Sequence, residues 1–555
     1  MAFYTIGVDF GSLSGRAVLV DTENGREVAD AVLEYPHAVM DTTLCDTGIR
    51  LPADFALQHP RDYIEVLETV IPEVLKKSGV RKEEVIGICI DFTTCTMLPV
   101  RKDLTPLCFD GEYSRNPHAY VKMWKHHAAQ PYADKLNEMA EKRGEAWLPR
   151  FGGKVSSEWL FPKIWETLDL APEVYAAADA FIEAGDFVTA CLTGEITRSY
   201  AFAAYKGEYV EENGGWPSED FLASLDERLR TVVSDKLYGR IVYGGERVGV
   251  VSEEAAKRFG LAPGTAVASA LPDAHISSAA MKQREAGDMF GIFGTSACYM
   301  VIDGKDVIVP GTCGTVKDGL TPGFYGYEAG LCCLGDHYAW ACENAVSAEY
   351  VREAEERGIP MIRLLCEKAE KQMPGEHGLL ALNWWNGNRN ILVDAELSGM
   401  LIGMSLRTKP EDILRALIEA TAFGTRVIIE NYEQNGVNVK RFVAGGGIAR
   451  KDPFTMQLFA DVLKLDVEVA KSKQIPALSG AIYAAVAAGS ATGGYDTYAE
   501  ACERMGSPIY TVYRPNPEAS RVYDKMYAEY VKLHDYFGRG GSNVMKTLRA
   551  IREGK

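Results

Sequence analysis

Hydrophobic and polar positions near the start of the chain form short runs that predict a strand, a tight turn and a second strand. An apolar run from Phe3 ends at Asp9, and a second apolar run covers residues 16–21. The residues between them, 10–15, are rich in Gly and Ser, which is typical of a turn. Residues 27–35 predict a third strand. This part of the chain is therefore expected to be built from strands.

Longer hydrophobic periods downstream predict helices between further strands. Residues 60–78 place apolar side chains at helical spacing behind a proline, which predicts an amphipathic helix. Residues 85–92 form an apolar run that predicts a buried strand. The alternation of helices and strands favours an α/β fold. Further helices are predicted over residues 116–140, 185–194, 253–259, 410–431, 453–463 and 475–491, with one beginning near Glu158, whereas 199–215 is predicted to be irregular.

The strand–turn–strand pattern recurs about half a chain later. Residues 289–293 predict a strand, residues 294–296 a turn, and residues 298–302 the return strand. Free N–H groups and hydroxyls in such Gly/Ser turns hold anions, although each turn alone is equally well explained as an ordinary hairpin. Two such turns at matching places suggest a duplicated domain with a cleft between the copies. The candidate anion-binding residues are Gly11, Ser12, Ser14, Gly294, Thr295 and Ser296.

A third glycine-rich turn, Gly445-Gly446-Gly447, follows a strand predicted over residues 441–444. A single glycine suffices for a tight turn between a strand and a helix. Three glycines therefore favour a turn at which a flat ligand or a phosphate approaches the backbone closely.

Asp273 lies between a short apolar strand predicted over residues 265–271 and a helix predicted over residues 274–282. A carboxylate at the C-terminal end of a buried strand is in a common catalytic position. The alternative is that Asp273 only caps the next helix, which is the more frequent role of Asp at such a position. The phosphate turn that follows it in the sequence favours the catalytic interpretation.

Composition narrows the class of protein. The length of 555 residues suggests two to four domains, and the net charge of −18 argues against a general binder of nucleic acid or anionic membranes. The twelve cysteines contain no C-x-x-C pair, and the nine histidines show no spacing that completes a zinc site. The N-terminus lacks a basic region, and residues 475–491 are too few to span a bilayer. A cytoplasmic protein is expected.

Five motifs follow one another along the chain: Gly7–Ser12 with Arg16, Pro162–Trp165, Phe293–Ser296, Gly399–Met404 with Asp412 and Glu419, and Gly445–Gly447 with Gln457, Ala460 and Asp461. In this order they resemble the first phosphate motif, the first signature, the second phosphate motif, the second signature and the adenosine motif of the FGGY family of carbohydrate kinases, within the actin/hexokinase superfamily. The resemblance extends from Phe3 to Gly489, and the second signature departs from the usual pattern at Leu417, where a smaller or β-branched residue is common.

Within the family, the ribulokinase branch is the most similar. Cys95 is a departure, because a smaller residue is often found at its position. The segments that carry the similarity are Asp91–Thr96, Trp124–His127, Ala204–Gly207, Pro272–His275 and Gly326–Gly330.

The resemblance implies two duplicated ribonuclease H-like domains, at residues 1–272 for the sugar and 273–538 for ATP, followed by a loosely attached polar tail at 539–555. It implies a kinase that phosphorylates the 5-hydroxyl of L-ribulose, as in L-arabinose catabolism, with ATP and Mg²⁺. Asp273 would be the general base, and Asp9 and Asp273 would hold the metal. The remaining residues implied to bind the sugar are Cys95, Lys206 and Glu328.

Alternatives stay open at this stage. Lys206 and Glu328 are also explained as ordinary loop residues, and Trp124 and Trp165 as packing residues. Another pentulose or pentitol kinase of the same fold is the second functional hypothesis, and a non-catalytic ATP-binding protein is the third. No nucleic acid or membrane partner is expected, and family habit suggests a homodimer.

Overall fold

The apolar run near the N-terminus forms a central strand of a seven-stranded sheet in the computed structural model, which describes residues 2–552. This strand, Tyr4–Phe10, pairs antiparallel with Ser14–Asp21 and parallel with Val85–Phe92. The predicted strand–turn–strand pattern is therefore confirmed. The strand order is Arg247–Val250, Ala266–Ala268, Val85–Phe92, Tyr4–Phe10, Ser14–Asp21 and Glu27–Glu34, with Leu271–Pro272 paired to Val85–Phe92.

Helices cover both faces of this sheet, which explains why its central strands are apolar throughout. The predicted amphipathic helix Pro60–Ser78 packs on one side. The late helix Ile475–Ala488 packs against Tyr4–Phe10, where the Thr5 hydroxyl donates to the Ala481 carbonyl at 2.8 Å. A Cβ atom on Gly7 would lie only 1.7 Å from the Ala477 carbonyl oxygen, so this close approach requires glycine.

The second sheet repeats this design. Strand Asp288–Phe293 pairs antiparallel with Ala297–Asp303 and parallel with Arg441–Gly445. Both sheets thus contain a hairpin closed by a Gly/Ser turn, as the repeated pattern predicts, and in each sheet a parallel strand lies on the other side of the first strand of the hairpin. Tyr325–Leu331 lies beside Ala297–Asp303, and Val467–Ala470 and Ile509–Tyr513 follow Arg441–Gly445. Gly314–Lys317 is a further strand of this sheet, beside Tyr325–Leu331. Smaller sheets are formed by Leu57–Gln58, Val121–Lys122, Met97–Val100 and Ala180–Glu183, by Arg240–Val242 with Thr197–Ser199, and by Leu380–Leu382 with Met400–Ile402.

Two compact units are present. The first contains the described chain up to Arg284 with Thr315–Gly326 and Gln474–Ser507, and the second contains Glu285–Gly314, Tyr327–Lys473 and the described chain from Pro508. The further helices of the first unit are Gln130–Arg143, Leu160–Leu170, Pro172–Ala177, Ala184–Thr193, Tyr200–Lys206, Glu219–Leu225, Val232–Lys236, Glu253–Phe259, Asp273–Ile276 and Tyr498–Met505. Those of the second are Gly335–Asn344, Ala348–Arg357, Met361–Ala369, Pro410–Gln434, Gly447–Lys451, Pro453–Leu463, Pro517–Gly538 and Val544–Arg552.

The predicted helix over residues 116–140 is wrong in its first half. Residues 117–119 form a single 3₁₀ turn, Val121–Lys122 is a short strand, and the helix begins only at Gln130. Both residues of this strand pair antiparallel with Leu57–Gln58, and the buried Lys122 ammonium contacts the Glu166 carboxylate at 2.6 Å. Tertiary pairing overrides the local helical pattern here.

Two further predictions are corrected. The helix predicted over residues 274–282 is only one turn, Asp273–Ile276, where the Ser277 hydroxyl donates to the Asp273 carbonyl. The segment 199–215, predicted to be irregular, contains helix Tyr200–Lys206, all of whose residues are buried. Burial of its Ala and aromatic side chains stabilises this helix, whereas local sequence signals for it are weak.

The segment predicted as a loosely attached tail contains a docked helix, Val544–Arg552. The Lys546 ammonium lies 2.6 Å from the Asp394 carboxylate, and the Arg549 guanidinium donates to the Ala395 carbonyl at 2.8 Å. These contacts attach it to the second unit. Over the described residues, no helix combines the length and apolar character that a membrane span requires.

Candidate active site

Three carboxylates meet at the C-terminal ends of three neighbouring strands in the first unit. In the parallel pair of strands, Asp9 lies directly opposite Asp91. Leu271 also pairs with Asp91, and Asp273 follows two residues later, where its strand ends. The carboxyl ends of parallel strands are where α/β proteins place ligand-binding groups. Sheet register therefore brings together the two predicted acids, Asp9 and Asp273, and a third that was not predicted as a site residue.

The third acid, Asp91, is fully buried beside the Asp9 carboxyl group, and over residues 2–552 neither of its carboxylate oxygens accepts a hydrogen bond from any other group. Burial raises the pKa of Asp91 well above its ordinary value, and the charges of Asp9 and Asp273 raise it further. Burial also raises the pKa of Asp9, although the Arg16 guanidinium lies 3.4 Å from its carboxylate and acts in the opposite direction. The sequence signal for Asp91 was the same as for Asp9, an apolar strand that ends in an acid.

Asp273 is the first residue of its one-turn helix, and Pro272 holds the N-cap position. One Asp273 carboxylate oxygen accepts a hydrogen bond from the Ala274 N–H at 2.7 Å. The side chain is half-buried, in contrast to Asp91. Asp273 therefore also stabilises the helix start. Stabilising a helix start does not require two further acids nearby, so capping alone does not explain the position of Asp273.

The first glycine-serine turn is held from three directions within its own unit. The Tyr35 hydroxyl donates to the Gly11 carbonyl at 2.9 Å, and the Gln58 amide donates to the Ser12 carbonyl at 2.8 Å. The Trp124 indole N–H donates to the Ser12 hydroxyl at 2.9 Å. These bonds fix the turn while its exposed side remains available to a ligand. Packing was the predicted role of Trp124, and the hydrogen bond to Ser12 adds a polar one.

The remaining hydroxyl of this turn, Ser14, accepts a hydrogen bond from the Arg16 guanidinium at 3.3 Å. Arg16 thus contacts both Ser14 and Asp9. A cation between a hydroxyl and a carboxylate is suited to a site that handles phosphate, because it offsets negative charge nearby.

A second polar cluster surrounds Cys95, also in the first unit. Cys95 has a left-handed backbone (φ 59°), and its carbonyl accepts a hydrogen bond from the buried Lys163 ammonium at 2.6 Å. Lys206 is buried at the end of its helix, with its ammonium 5.2 Å from the Trp159 ring centroid. The alternative that Lys206 is a solvated loop residue is therefore wrong. Burial raises the pKa of the Cys95 thiol, while Lys163 and Lys206 lower it.

Two buried acids near this cluster were missed. Over the described chain, none of the carboxylate oxygens of Glu183 and Glu208 accepts a hydrogen bond from a side chain. Burial raises the pKa of Glu183 to about 8 against the opposing effect of Lys163, and it raises that of Glu208 well above the ordinary range. Buried polar groups without partners are candidates for ligand contacts. Glu183 carried the signal of an acid ending an apolar strand, Ala180–Glu183.

The second unit positions two glycine turns side by side. The exposed turn at Gly294 is held by backbone bonds, with the Leu334 N–H donating to the Thr295 carbonyl at 2.8 Å and the Gly335 N–H to the Gly294 carbonyl at 3.1 Å. Ser296 completes it, since its carbonyl accepts the Gly294 N–H at 3.0 Å.

The triple glycine turn lies directly against this hairpin. Gly445 ends its strand opposite Ile292, and Gly446 has a positive φ of 95°. A Cβ on Gly446 would lie 2.5 Å from the Phe293 carbonyl oxygen, so only glycine fits. At Gly447, a Cβ would meet no atom within 4 Å, which leaves open space beside the backbone. The prediction that this turn allows close approach of a ligand remains a prediction, and the geometry suits it.

Glu328 lies in the second unit. It is buried within strand Tyr325–Leu331, so the interpretation of this segment as a loop is wrong. Its backbone carbonyl accepts a hydrogen bond from the Cys313 N–H at 2.8 Å.

Family models and curated relatives match nearly the whole chain. The N-terminal domain of the FGGY family of carbohydrate kinases matches residues 4–280, and the C-terminal domain matches residues 289–488. A ribulokinase from Halalkalibacterium halodurans is 51% identical over 549 residues, covering 99% of this chain and 97% of the relative. A ribulokinase from Staphylococcus aureus is 37% identical and covers 99% of both chains.

Solved structures agree on the fold. The chain superposes on xylulose kinase from Rhodospirillum rubrum with a TM-score of 0.77 at 21% identity, covering 96% of this chain and 98% of that one. It superposes on Plasmodium falciparum glycerol kinase with ADP with a TM-score of 0.75 at 16% identity, covering 96% and 98%. The expected actin/hexokinase-like fold is confirmed. The chain belongs to the FGGY family of carbohydrate kinases and is a phosphotransferase with an alcohol acceptor.

Proposed function

We propose that this sugar kinase transfers the γ-phosphoryl group of ATP to the 5-hydroxyl of L-ribulose, giving L-ribulose 5-phosphate, as in L-arabinose catabolism. The observation that carries the proposal is the carboxylate cluster of Asp9, Asp91 and Asp273 at the ends of neighbouring strands. The sugar is inferred from relatives named ribulokinase, which share about half of the residues over nearly the full length.

Asp273 is the general base in this proposal. An alcohol is a weak nucleophile, and a carboxylate within hydrogen-bond reach takes its proton as phosphorus is attacked. Asp273 suits this role better than Asp91, because Asp273 is half-buried and Asp91 is sealed in the sheet. Its hydrogen bond from the Ala274 N–H fixes the carboxylate in one orientation.

The donor set fits Mg²⁺, which prefers carboxylate oxygens and retains several waters. Buried oxygens without a hydrogen-bond donor, as found at Asp91, suit a neighbouring cation. Asp9 and Asp273 are the residues that would hold the ion. Bound Mg²⁺ would supply positive charge against the phosphate oxygens.

Sugar and nucleotide binding are assigned to different sets of residues. The sugar hydroxyls would be bound by Lys206, Glu328 and the backbone near Cys95. The γ-phosphate would be held by N–H groups and hydroxyls of Gly294, Thr295 and Ser296, with Gly11, Ser12 and Ser14 from the first turn. The glycines 445–447 would lie against the adenosine, where the absence of side chains permits contact. A site built to hydrogen-bond hydroxyls rejects analogues that lack them.

The test is coupled ADP release with a panel of L- and D-ketopentoses, pentitols and glycerol. We expect L-ribulose to give the highest kcat/KM. A higher kcat/KM with D-ribulose, xylulose or ribitol would show that L-ribulose is not the preferred substrate, while the reaction class would stay the same. Turnover of none, with ATP bound, would support a non-catalytic ATP-binding protein. Light scattering of the same preparation tests whether the protein is the expected homodimer. Fractionation of cells tests the expected cytoplasmic location.

A further inference from the structure

Three metal-ligating side chains converge away from the carboxylate cluster. His37, Cys45 and His59 each offer a ligand atom, and these atoms lie within 4.8 Å of one another. All three residues are half-buried, so solvent ions reach them while the protein limits their motion. Among the described residues, these three form a group in which one thiol and two imidazoles lie close enough together to share a metal ion.

The fold assembles this cluster from separate segments. His37 lies just after strand Glu27–Glu34, and His59 is the N-cap of helix Pro60–Ser78. Cys45 lies in the connection between these two elements. The spacing of the three residues does not match that of a familiar zinc-binding motif, which is why histidine and cysteine spacing predicted no zinc site.

A carboxylate orients one of the imidazoles. Asp62 lies 2.5 Å from His37 Nδ1 and also accepts the His37 backbone N–H at 3.2 Å. A histidine that donates Nδ1–H to a carboxylate has its Nε2 lone pair available, which is the common arrangement of a metal-bound histidine.

We propose that His37, Cys45 and His59 form a binding site for a thiophilic divalent cation of the zinc class. One thiolate and two imidazoles match the ligand preference of Zn²⁺, whereas Mg²⁺ and Ca²⁺ prefer oxygen ligands. Three protein ligands and a fourth position open to water make a complete tetrahedral set. This proposal does not depend on the proposed sugar or on the role of Asp273.

Occupation would change one bond of the helix start. The His59 ring stacks on His37 at a centroid distance of 4.4 Å, and its Nδ1 accepts the Arg61 N–H at 3.2 Å. Coordination of His59 replaces this hydrogen bond, whichever nitrogen binds, because the ring then has no lone pair left for the N–H. Metal binding would therefore remove this capping bond from the helix start.

The site adjoins two residues that hold the first phosphate turn. His37 follows Tyr35, which donates to the Gly11 carbonyl, and His59 follows Gln58, which donates to the Ser12 carbonyl. A cation joining His37 to His59 would tie both segments together behind this turn.

The test uses metal-depleted full-length protein titrated with Zn²⁺ against a competing chelator, and with Mg²⁺ alone. We expect one tight Zn²⁺ site that Cys45→Ser and His59→Asn weaken strongly. Asp62→Asn, which removes only the orienting carboxylate, is expected to weaken it by roughly 10- to 100-fold. Cys342→Ser and His127→Asn serve as matched controls and leave the affinity unchanged.

Two readouts on the wild-type protein keep the proposal testable if a variant does not fold. Co²⁺ in place of Zn²⁺ should give a thiolate-to-metal charge-transfer band. Zn²⁺ should also protect Cys45 from alkylation by at least about tenfold in rate, as followed by peptide mass spectrometry, because a metal-bound thiolate is a poor nucleophile. Absence of both effects, or tight Zn²⁺ binding that the ligand variants do not change, would show that the cluster is only an ion pair beside stacked rings.

Discussion

At Asp91, two buried carboxylate oxygens face the negative charges of Asp9 and Asp273. Burial and like charge both disfavour the ionised form, so Asp91 retains its proton to a higher pH in the folded protein than in the unfolded chain. Ionisation of Asp91 in the folded protein therefore costs stability. A buried acid beside other negative charges is typical of a site where a bound ligand supplies the missing positive charge.

Asp91→Asn tests this conflict through stability. The pKa of Asp91 in the folded state lies above the ordinary value of 3.8, so the wild type loses stability relative to the variant as pH rises from that value to the raised pKa. The expected loss is about 1.4 kcal/mol per pH unit within that window. Urea unfolding of both proteins without Mg²⁺ at pH 5 and pH 7 measures it. A difference in free energy of unfolding that is independent of pH would contradict the raised pKa.

Asp273→Asn separates catalysis from structure. The amide retains the size of the carboxylate and an oxygen for the Ala274 N–H but cannot take a proton. We expect kcat to fall by roughly 10² or more while ATP affinity and the melting temperature stay near wild type. Steady-state kinetics and ATP titration are the measurements, and near wild-type turnover would remove Asp273 from the chemistry.

At the scale of elements, close backbone packing determines where glycine is required. Helix Ile475–Ala488 approaches the central strand so closely that Gly7 and Ala477 meet at backbone distance. The Gly294 turn differs, since a Cβ there would have only the Ser296 carbonyl oxygen nearby, at 3.8 Å. Glycine is structural at the first position, and at the second its small size matters to a ligand.

Gly7→Ala should destabilise the first unit by more than about 3 kcal/mol, because its Cβ would clash with the Ala477 backbone rather than with a movable side chain. Gly111→Ala is the matched control, since its Cβ would meet nothing within 4 Å. Thermal unfolding of both variants measures the effect. A Gly7→Ala protein as stable as the control would show that the helix does not pack this closely.

Gly294→Val should weaken ATP binding by at least about tenfold, equivalent to 1.4 kcal/mol, and leave the fold and sugar binding intact. The added side chain would occupy the space a phosphate needs, while its Cβ would come no closer than 3.8 Å to its nearest neighbour, the Ser296 carbonyl oxygen. Gly304→Val, in the turn after the return strand, is the control because its Cβ also lies in open space. Calorimetric titration of both variants with ATP measures the affinity, and an unchanged affinity of Gly294→Val would exclude this turn from phosphate binding.

At the scale of the whole molecule, the first unit is discontinuous in sequence. Its sheet is covered by helix Ile475–Ala488, which follows most of the second unit in the chain. The family models also extend to residue 488, the end of this helix. The predicted domain limits at residues 272 and 538 stay predictions. Because this helix covers the sheet of the first unit, its contacts determine whether a fragment that lacks it can fold.

A fragment of residues 1–284 should therefore fail to unfold cooperatively on its own. Without the late helix, the apolar face around Thr5 and Gly7 is exposed to water. Co-expression with residues 474–507 should restore a soluble, cooperatively folding complex. A fragment 1–284 that unfolds cooperatively by itself would contradict this expectation.

Much of this protein follows from local pattern. The two strand–turn–strand hairpins, the buried strand Val85–Phe92 and the helix Pro453–Leu463 were predicted from hydrophobic period and turn residues. A short window contains their signal, because hairpins and helices form contacts between residues close in sequence and a buried strand is marked by its own continuous apolar run. The order of the five motifs likewise identified the family without knowledge of the fold.

Only the tertiary structure decided which distant residues meet. The Asp9–Asp91–Asp273 cluster depends on the register of three strands, and the His37–Cys45–His59 cluster on how a connection folds back against a helix. Val121–Lys122 is a strand instead of part of the predicted helix because it pairs with Leu57–Gln58. At the carboxylate cluster and at Val121–Lys122 the partners lie far away in the sequence, and a local pattern carries no information about where those partners lie.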